Sequence, residues 1–227
     1  MYKILLVEDD LDICEIIKMY MSRTKNSIYI ANSANEALQM VNEDSFDLIL
    51  LDIMLPDITG IDLCSRLRKD LLCPIIFISC IDDDETIIKA LEMGGDDYIV
   101  KPFNCSVLLA RIEANMRRVR IEEKNPSAKN KIVLDDFTID GSDYTVIKDG
   151  HKKTLTPIEF KIATYMSTHP NRVITLEELY QNIWNEPSFD DVRTVKVHVS
   201  NLRKKVEDNP SNPKHIKTVR KIGYIFQ

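Results

Sequence analysis

Leu48-Ile49-Leu50-Leu51-Asp52 runs directly into Ile53-Met54-Leu55-Pro56-Asp57-Ile58-Thr59-Gly60. Four consecutive aliphatic residues without polar alternation describe a strand buried on both faces, and such strands belong to parallel sheets covered by helices. The strand ends on a carboxylate. Similar runs flank it: Lys3–Val7 leads into Glu8-Asp9-Asp10, Pro74–Ser79 ends on a hydroxyl, Asp97–Val100 is followed by Lys101-Pro102, and Ser27–Ala31 is a fifth. Between them, residues 11–23, 33–43, 60–70, 83–93 and 104–119 carry helical periodicity, as in the stripe Ile13, Ile16, Ile17 and Tyr20. Five β–α units predict an α/β doubly wound five-stranded parallel sheet, whose ligands bind at the carboxyl ends of the strands.

Those ends gather Glu8, Asp9, Asp52, Ser79 and Lys101 at one rim. Carboxylates at close range repel unless a divalent cation sits among them. Mg²⁺ suits such a place, since it is held by one or two carboxylates together with a phosphoryl group. Lys101 can bind a phosphoryl oxygen as a point charge, Ser79 can donate a hydrogen bond, and Asp52 is left as a nucleophile that would form an acyl phosphate. Taken singly, each has a plainer meaning; Glu8-Asp9-Asp10 could simply cap the helix that follows. Their occurrence at successive strand ends is what points to phosphoryl chemistry.

The pattern changes after residue 130. Ile132-Val133-Leu134, Phe137-Thr138-Ile139, Tyr144–Ile147 and Lys152–Leu155 are short strands separated by Asp135-Asp136, Asp140-Gly141-Ser142 and Asp149-Gly150, which predicts a small antiparallel sheet. Thr156-Pro157-Ile158-Glu159 is a capping box with proline at the first helical position, and Thr175-Leu176-Glu177-Glu178 repeats the box for a second helix ending near Trp184. A third helix, from about Asp190 to Glu207, has the apolar stripe Val192, Val195, Val199, Leu202 and Val206, with Arg193, Lys196, Asn201, Lys204 and Lys205 opposite. Ile216–Arg220 and Tyr224-Ile225-Phe226 form a closing hairpin. A basic exposed helix beside a basic hairpin describes a winged helix, whose helix enters the major groove of DNA. There Asn201 would read adenine, while Arg193, Lys204 and Lys205 would touch phosphate.

Composition narrows the classes. The chain has 227 residues, 44% hydrophobic and 29% charged, a globular rather than disordered balance. No run of 18 apolar residues spans a membrane, and the first apolar run meets the acidic cluster at Glu8 too early for a signal peptide, so a cytoplasmic location is expected. The net charge of −6 divides into −8 over residues 1–120 and +2 over the remainder, with 9 basic against 2 acidic residues in 192–227. Two modules with different partners follow, the second suited to a polyanion. Residues 120–130, with alternating charges and one proline, read as a flexible linker between domains at 1–119 and 131–227. Cys14, Cys64, Cys73, Cys80 and Cys105 are odd in number and lack C-x-x-C spacing, so free thiols are expected.

The ordered set V-E-D-D, L-I-L-L-D-I-M-L-P-D-I-T-G, P-I-I-F-I-S and G-G-D-D-Y-I-V-K-P-F resembles a response-regulator receiver domain, of flavodoxin-like fold, over residues 1–119. The resemblance implies that Asp52 accepts a phosphoryl group from a sensor histidine kinase. Glu8, Asp9, Asp52 and the backbone carbonyl of Met54 would hold Mg²⁺, Lys101 would pair with the phosphoryl group, and Ser79 and Tyr98 would switch on its arrival. Pro102 would follow a cis peptide bond. The helix at 11–23 would face the kinase. A homodimer would form through the 83–119 face, with Asp96 meeting Arg111 and Asp97 meeting Arg118 across a two-fold axis, and Ile87 against Val107 where relatives place charges. Cys80 stands where alanine is usual. A stand-alone phosphatase is disfavoured, because Met54 occupies the position of the second aspartate such enzymes need.

The stretches L-T-P-I-E-F, V-I-T-L-E-E-L, V-R-T-V-K-V-H-V-S-N-L-R-K-K-V-E and T-V-R-K-I-G-Y resemble the OmpR/PhoB-type winged helix-turn-helix domain over 131–227. By that resemblance Arg193, Thr194, His198, Ser200, Asn201, Arg203 and Lys204 lie on or beside the recognition face, Thr218 and Arg220 belong to the wing, and residues 185–191 contact RNA polymerase. Lys221 replaces a frequent glycine. The whole implies a two-component transcription regulator, not a metabolic enzyme, binding repeated half-sites on double-stranded DNA. The alternative is a phosphorylation-independent dimeric transcription factor with a pseudo-receiver, motivated by Cys80 and the Ile87/Val107 pair.

Overall fold

A computed structural model describes residues 1–124, 131–134, 136–184 and 192–227, without the side chains of 117–124. The chain divides into two compact units, Met1–Arg117 and Arg118–Gln227.

The first unit alternates β1 (Lys3–Val7), α1 (Leu11–Met21), β2 (Ser27–Ala31), α2 (Ala34–Glu43), β3 (Leu48–Leu51), α3 (Gly60–Leu67), β4 (Ile75–Ser79), α4 (Asp84–Glu92), β5 (Asp97–Val100) and α5 (Cys105–Lys124). The strands form one sheet in the order β2-β1-β3-β4-β5, all pairs parallel. This is the expected doubly wound, flavodoxin-like α/β sheet. The order reverses between β1 and β3, where such folds open a crevice. Register pairs Val7 with Leu51, so Glu8 and Asp52 leave neighbouring strands at the same level. Ile4, Leu5, Leu6, Val7 and all of Leu48–Leu51 are buried, as runs without alternation require.

The second unit opens with the four-stranded antiparallel sheet β6 (Ile132–Val133), β7 (Phe137–Asp140), β8 (Thr145–Lys148) and β9 (His151–Thr154). Then come α6 (Pro157–Ser167), β10 (Val173–Thr175), α7 (Leu176–Trp184), α8 (Arg193–Val206), β11 (Ile216–Val219) and β12 (Gly223–Phe226). The hairpin β11–β12 takes β10 as a third strand, in the order β10-β12-β11. This winged-helix unit has its own core, built on Phe137, Ile158, Ile162, Met166, Leu179, Tyr180, Trp184, Val195, Val199 and Leu202. The capping box at Thr156 forms with both of its bonds.

Two sequence expectations change. The linker expected at 120–130 does not begin at 120: α5 continues to Lys124. Residues 120–124 contain no helix breaker, and Pro126 comes only after them. β10 was also missed. Val173-Ile174-Thr175 is too short to show a period and pairs with the distant β12. Residues 125–130 and the expected polymerase-facing loop 185–191 lie outside the described residues.

Candidate functional site

The carboxyl ends of β1, β3, β4 and β5 meet at one pocket. Lys101 Nζ donates to Glu8 Oε2 and to Asp52 Oδ2, both at 2.6 Å, and all three side chains are buried. Asp52 Oδ1 accepts the Met54 N–H at 3.2 Å. Glu8, Asp9 and Asp52 offer carboxylate oxygens within 4.8 Å of one another, Asp9 from an exposed position. Burial pushes Glu8 up to about 7, with the Asp52 charge adding to the rise and the Lys101 bond opposing it. Burial also opposes the charge on Lys101, but its bonds to Asp52 and Glu8 outweigh this and hold the ammonium above its ordinary value. Three carboxylates facing one ammonium leave an excess of negative charge in a partly desolvated pocket, a donor set that fits a small hard cation.

Ser79 ends β4 fully buried, and its hydroxyl has no hydrogen-bond partner among the described residues. The Tyr98 hydroxyl beside it donates instead to the Ile81 carbonyl at 2.7 Å. Tyr98 is buried, stacks on Phe77 at 6.1 Å between ring centroids, and is pushed up to about 12 by that burial. The Lys101-Pro102 peptide is cis. Cys80 is exposed, and all five cysteines are free.

The 83–119 face departs from expectation. Ile87 is 1% exposed and packs in the core, while its neighbour Ile88 is 39% exposed. Ile87 shares its helix face with Ala90 and Leu91, also buried, so α4 turns it toward the sheet. It cannot face Val107 across a two-fold axis; Val107 itself is 40% exposed. Asp96 is paired with Arg68 and accepts the Ile75 N–H, and Asp97 is paired with Arg111 at 2.6 Å, all within one chain. Asp96 and Arg111, expected to meet each other across subunits, thus each have a partner within the single chain. The Arg118 side chain lies outside the described residues.

In the second unit, Thr194, His198 and Asn201 are buried, at 0%, 1% and 7% exposure. They form a second stripe beside Val195, Val199 and Leu202, because α8 is wedged against both α6 and α7 and buries a wider arc than its valines alone mark. The His198 ring lies 5.8 Å from Trp184. Asn201 is thereby removed from the role of adenine reader. Arg203 is also redirected: its Nε donates to the Ile216 carbonyl at 2.9 Å, its Nη2 to Thr218 Oγ1 at 2.8 Å, and its guanidinium lies 5.2 Å from the Tyr224 ring centroid. It braces the wing. The outward stripe comprises Arg193, Lys196, Ser200 and Lys204, with Thr218, Arg220 and Lys221 exposed on the wing. Lys196, which the sequence pattern already set opposite the apolar stripe, joins the residues that the resemblance assigned to DNA.

Residues 4–113 match the family model of the response regulator receiver domain, and residues 150–226 match that of the transcriptional regulatory protein C-terminal domain. Among solved structures, DrrB, a Thermotoga maritima OmpR/PhoB homolog, is 30% identical over 100% of this chain and 99% of its own, with a TM-score of 0.53. The chain belongs to the OmpR/PhoB-type response regulators. The regulator is also similar to a RitR mutant, at 25% identity over 100% of this chain and 99% of that one with a TM-score of 0.78. A two-component response regulator from Clostridium difficile shares 37% identity over 52% of this chain and 98% of its own, with a TM-score of 0.52. A receiver domain implies a histidine kinase as partner, and the winged helix implies DNA. No helix among the described residues is long and apolar enough to cross a membrane.

Proposed function

We propose that the protein is a DNA-binding transcription regulator switched by phosphorylation of Asp52. The observation that carries this reading is Lys101 Nζ bridging Asp52 and Glu8 in a buried pocket, beside the buried Ser79 at the end of β4. An Asp52 carboxylate oxygen attacks the phosphorus of a phosphohistidine; the P–O bond forms, the P–N bond breaks, and its electron pair leaves on the imidazole nitrogen, which takes a proton. Lys101 then pairs with a phosphoryl oxygen, and the Ser79 hydroxyl donates to another. Tyr98 is already turned inward, so its hydroxyl has only to exchange the Ile81 carbonyl for a new partner. Glu8, Asp9, Asp52 and the Met54 carbonyl would hold Mg²⁺, which supplies charge neutralisation at the transferring group. On this reading the protein catalyses only its own phosphoryl transfer and dephosphorylation.

Phosphorylation favours a homodimer through the α4–β5–α5 face, now with Ile88 and Val107 as its exposed apolar residues. Pairing places two winged helices on repeated half-sites, raising local concentration without new base contacts. Arg193, Lys196, Ser200 and Lys204 face the major groove, Thr218, Arg220 and Lys221 the adjoining backbone, and residues 185–191 meet RNA polymerase in the cytoplasm. The phosphorylation-independent alternative keeps Cys80 but loses Ile87, which is core.

Incubation with phosphoramidate and Mg²⁺ is expected to add one phosphoryl mass to the intact protein, and Asp52→Asn to abolish the adduct. An adduct that persists in Asp52→Asn, or none in the parent protein, overturns the reading.

A further inference from the structure

The loop that follows Asp52 is fastened to a helix it does not join. Asp57 Oδ1 accepts the Ala34 N–H at 3.0 Å and Oδ2 accepts the Asn35 N–H at 2.8 Å, while Oδ1 also takes the Ile58 N–H at 3.0 Å. Ala34 and Asn35 open α2, more than twenty residues earlier. The first N–H groups of a helix have no partner inside it. The local cap Ser33 serves only the third of them, on Glu36, at 3.2 Å. Asp57 takes the other two, and its carboxylate sits at the positive end of the helix dipole.

The other end of this link is the phosphoacceptor loop. Its base is closed by the Gly60 N–H to the Ile53 carbonyl at 2.9 Å, and Gly60 lies so near Asp52 that a Cβ there would come within 1.9 Å of the Asp52 carbonyl oxygen. Its first turn is held by the Met54 N–H to Asp52 Oδ1. Among the described residues, the hydrogen bonds that leave the middle of the loop for another element are those of Asp57.

We propose that Asp57 is a positioning residue for the phosphoacceptor site: by clamping the first turn of α2 it fixes the loop that carries the Met54 carbonyl and gives the Met54 N–H to Asp52. This rests on Asp52 being the phosphoacceptor. The link runs to the site along the loop backbone, so it acts by setting geometry. It also makes the start of α2 part of the same rigid unit as Asp52.

Two variants break the same link from opposite sides. Asp57→Ala removes the acceptors. Asn35→Pro removes one donor at an exposed first-turn position where proline is tolerated. Each is expected to raise the Mg²⁺ concentration needed for half-maximal phosphoramidate labelling, on the order of tenfold for Asp57→Ala, as for loss of an outer-sphere support. The double variant is expected to be no worse than Asp57→Ala. In the metal-free protein, the Met54 amide is expected to exchange its hydrogen faster in both single variants. Asp57→Asn, which keeps one acceptor oxygen, falls between the parent and Asp57→Ala. An unchanged Mg²⁺ midpoint and Met54 exchange rate with a lowered melting temperature, or additive effects in the double variant, would overturn the proposal. Failure of the parent protein itself to be labelled would instead overturn the phosphoacceptor reading.

Discussion

Lys221 turns the wing with a backbone φ of 63°, in the left-handed region that a glycine enters freely and other residues enter at a cost of roughly 1–2 kcal/mol. Its exposed side chain lines a notch with Lys196, Thr218 and Leu176, between the wing and α8. Stability and binding are therefore expected to move in opposite directions. Lys221→Gly is expected to stabilise the second unit by about 1 kcal/mol and to weaken DNA binding, with the log–log salt slope shallower by roughly 0.9. Melting curves and binding isotherms across salt check both, and unchanged affinity would exclude the contact. Asp136 makes a second prediction at this scale. Its bonds to His215 and Lys214 hold its carboxyl down at about 2. A depressed carboxylate contributes stability above its unfolded value of 3.8 and loses it as pH falls from there toward 2. Unfolding followed by Trp184 fluorescence at pH 6 and pH 3 is expected to show a gap between the parent and Asp136→Asn that narrows at the lower pH. The gap at pH 6 is about 1 kcal/mol, kept small by solvent screening.

Among the elements, the parallel strands were the most legible. Ile4–Val7 and Leu48–Leu51 are apolar throughout because both faces are covered, and each ends at a residue that the sheet then brings into the pocket. Helix faces were read less well. On α8 a stripe of valines was visible, but Thr194, His198 and Asn201 fill the arc beside it, and a polar residue that packs sideways against a neighbouring helix carries no signature of burial. On α4 the adjacent Ile87 and Ile88 differ by one position, about 100° around the helix, which charge matching alone cannot resolve. Asp57 went unread because its partners are main-chain N–H groups, which no sequence pattern displays. The corrected α4 face has a direct consequence. Ile87→Ala is expected to destabilise the first unit by about 2–5 kcal/mol as a buried truncation, whereas Val107→Ala costs less than roughly 0.5 kcal/mol in the monomer. Chemical denaturation separates the two, and a mild Ile87→Ala would restore that residue to the surface.

Across the whole chain, charge asymmetry correctly separated a module with carboxylates at its rim from one with an outward basic stripe. It took no account of cations already paired within the protein. Lys205 is paired with Glu159 at 2.6 Å, Lys214 with Asp136 at 3.0 Å, and Lys148 holds both the Val206 carbonyl at the end of α8 and Asp208. Formal charge counts each of these equally with Lys196. Continuation of α5 to Lys124 similarly moves five residues out of the expected tether, replacing as much as about 3.3 Å of reach per residue with the 1.5 Å rise of a helix.

The bracing of Arg203 against the Ile216 carbonyl and the Tyr224 ring has a thermodynamic corollary. A guanidinium already docked on its own protein arrives at the double helix without a frozen rotamer still to be ordered. It also displaces no condensed sodium or potassium there, so the ions liberated on complex formation should number fewer than the nine basic residues of 192–227.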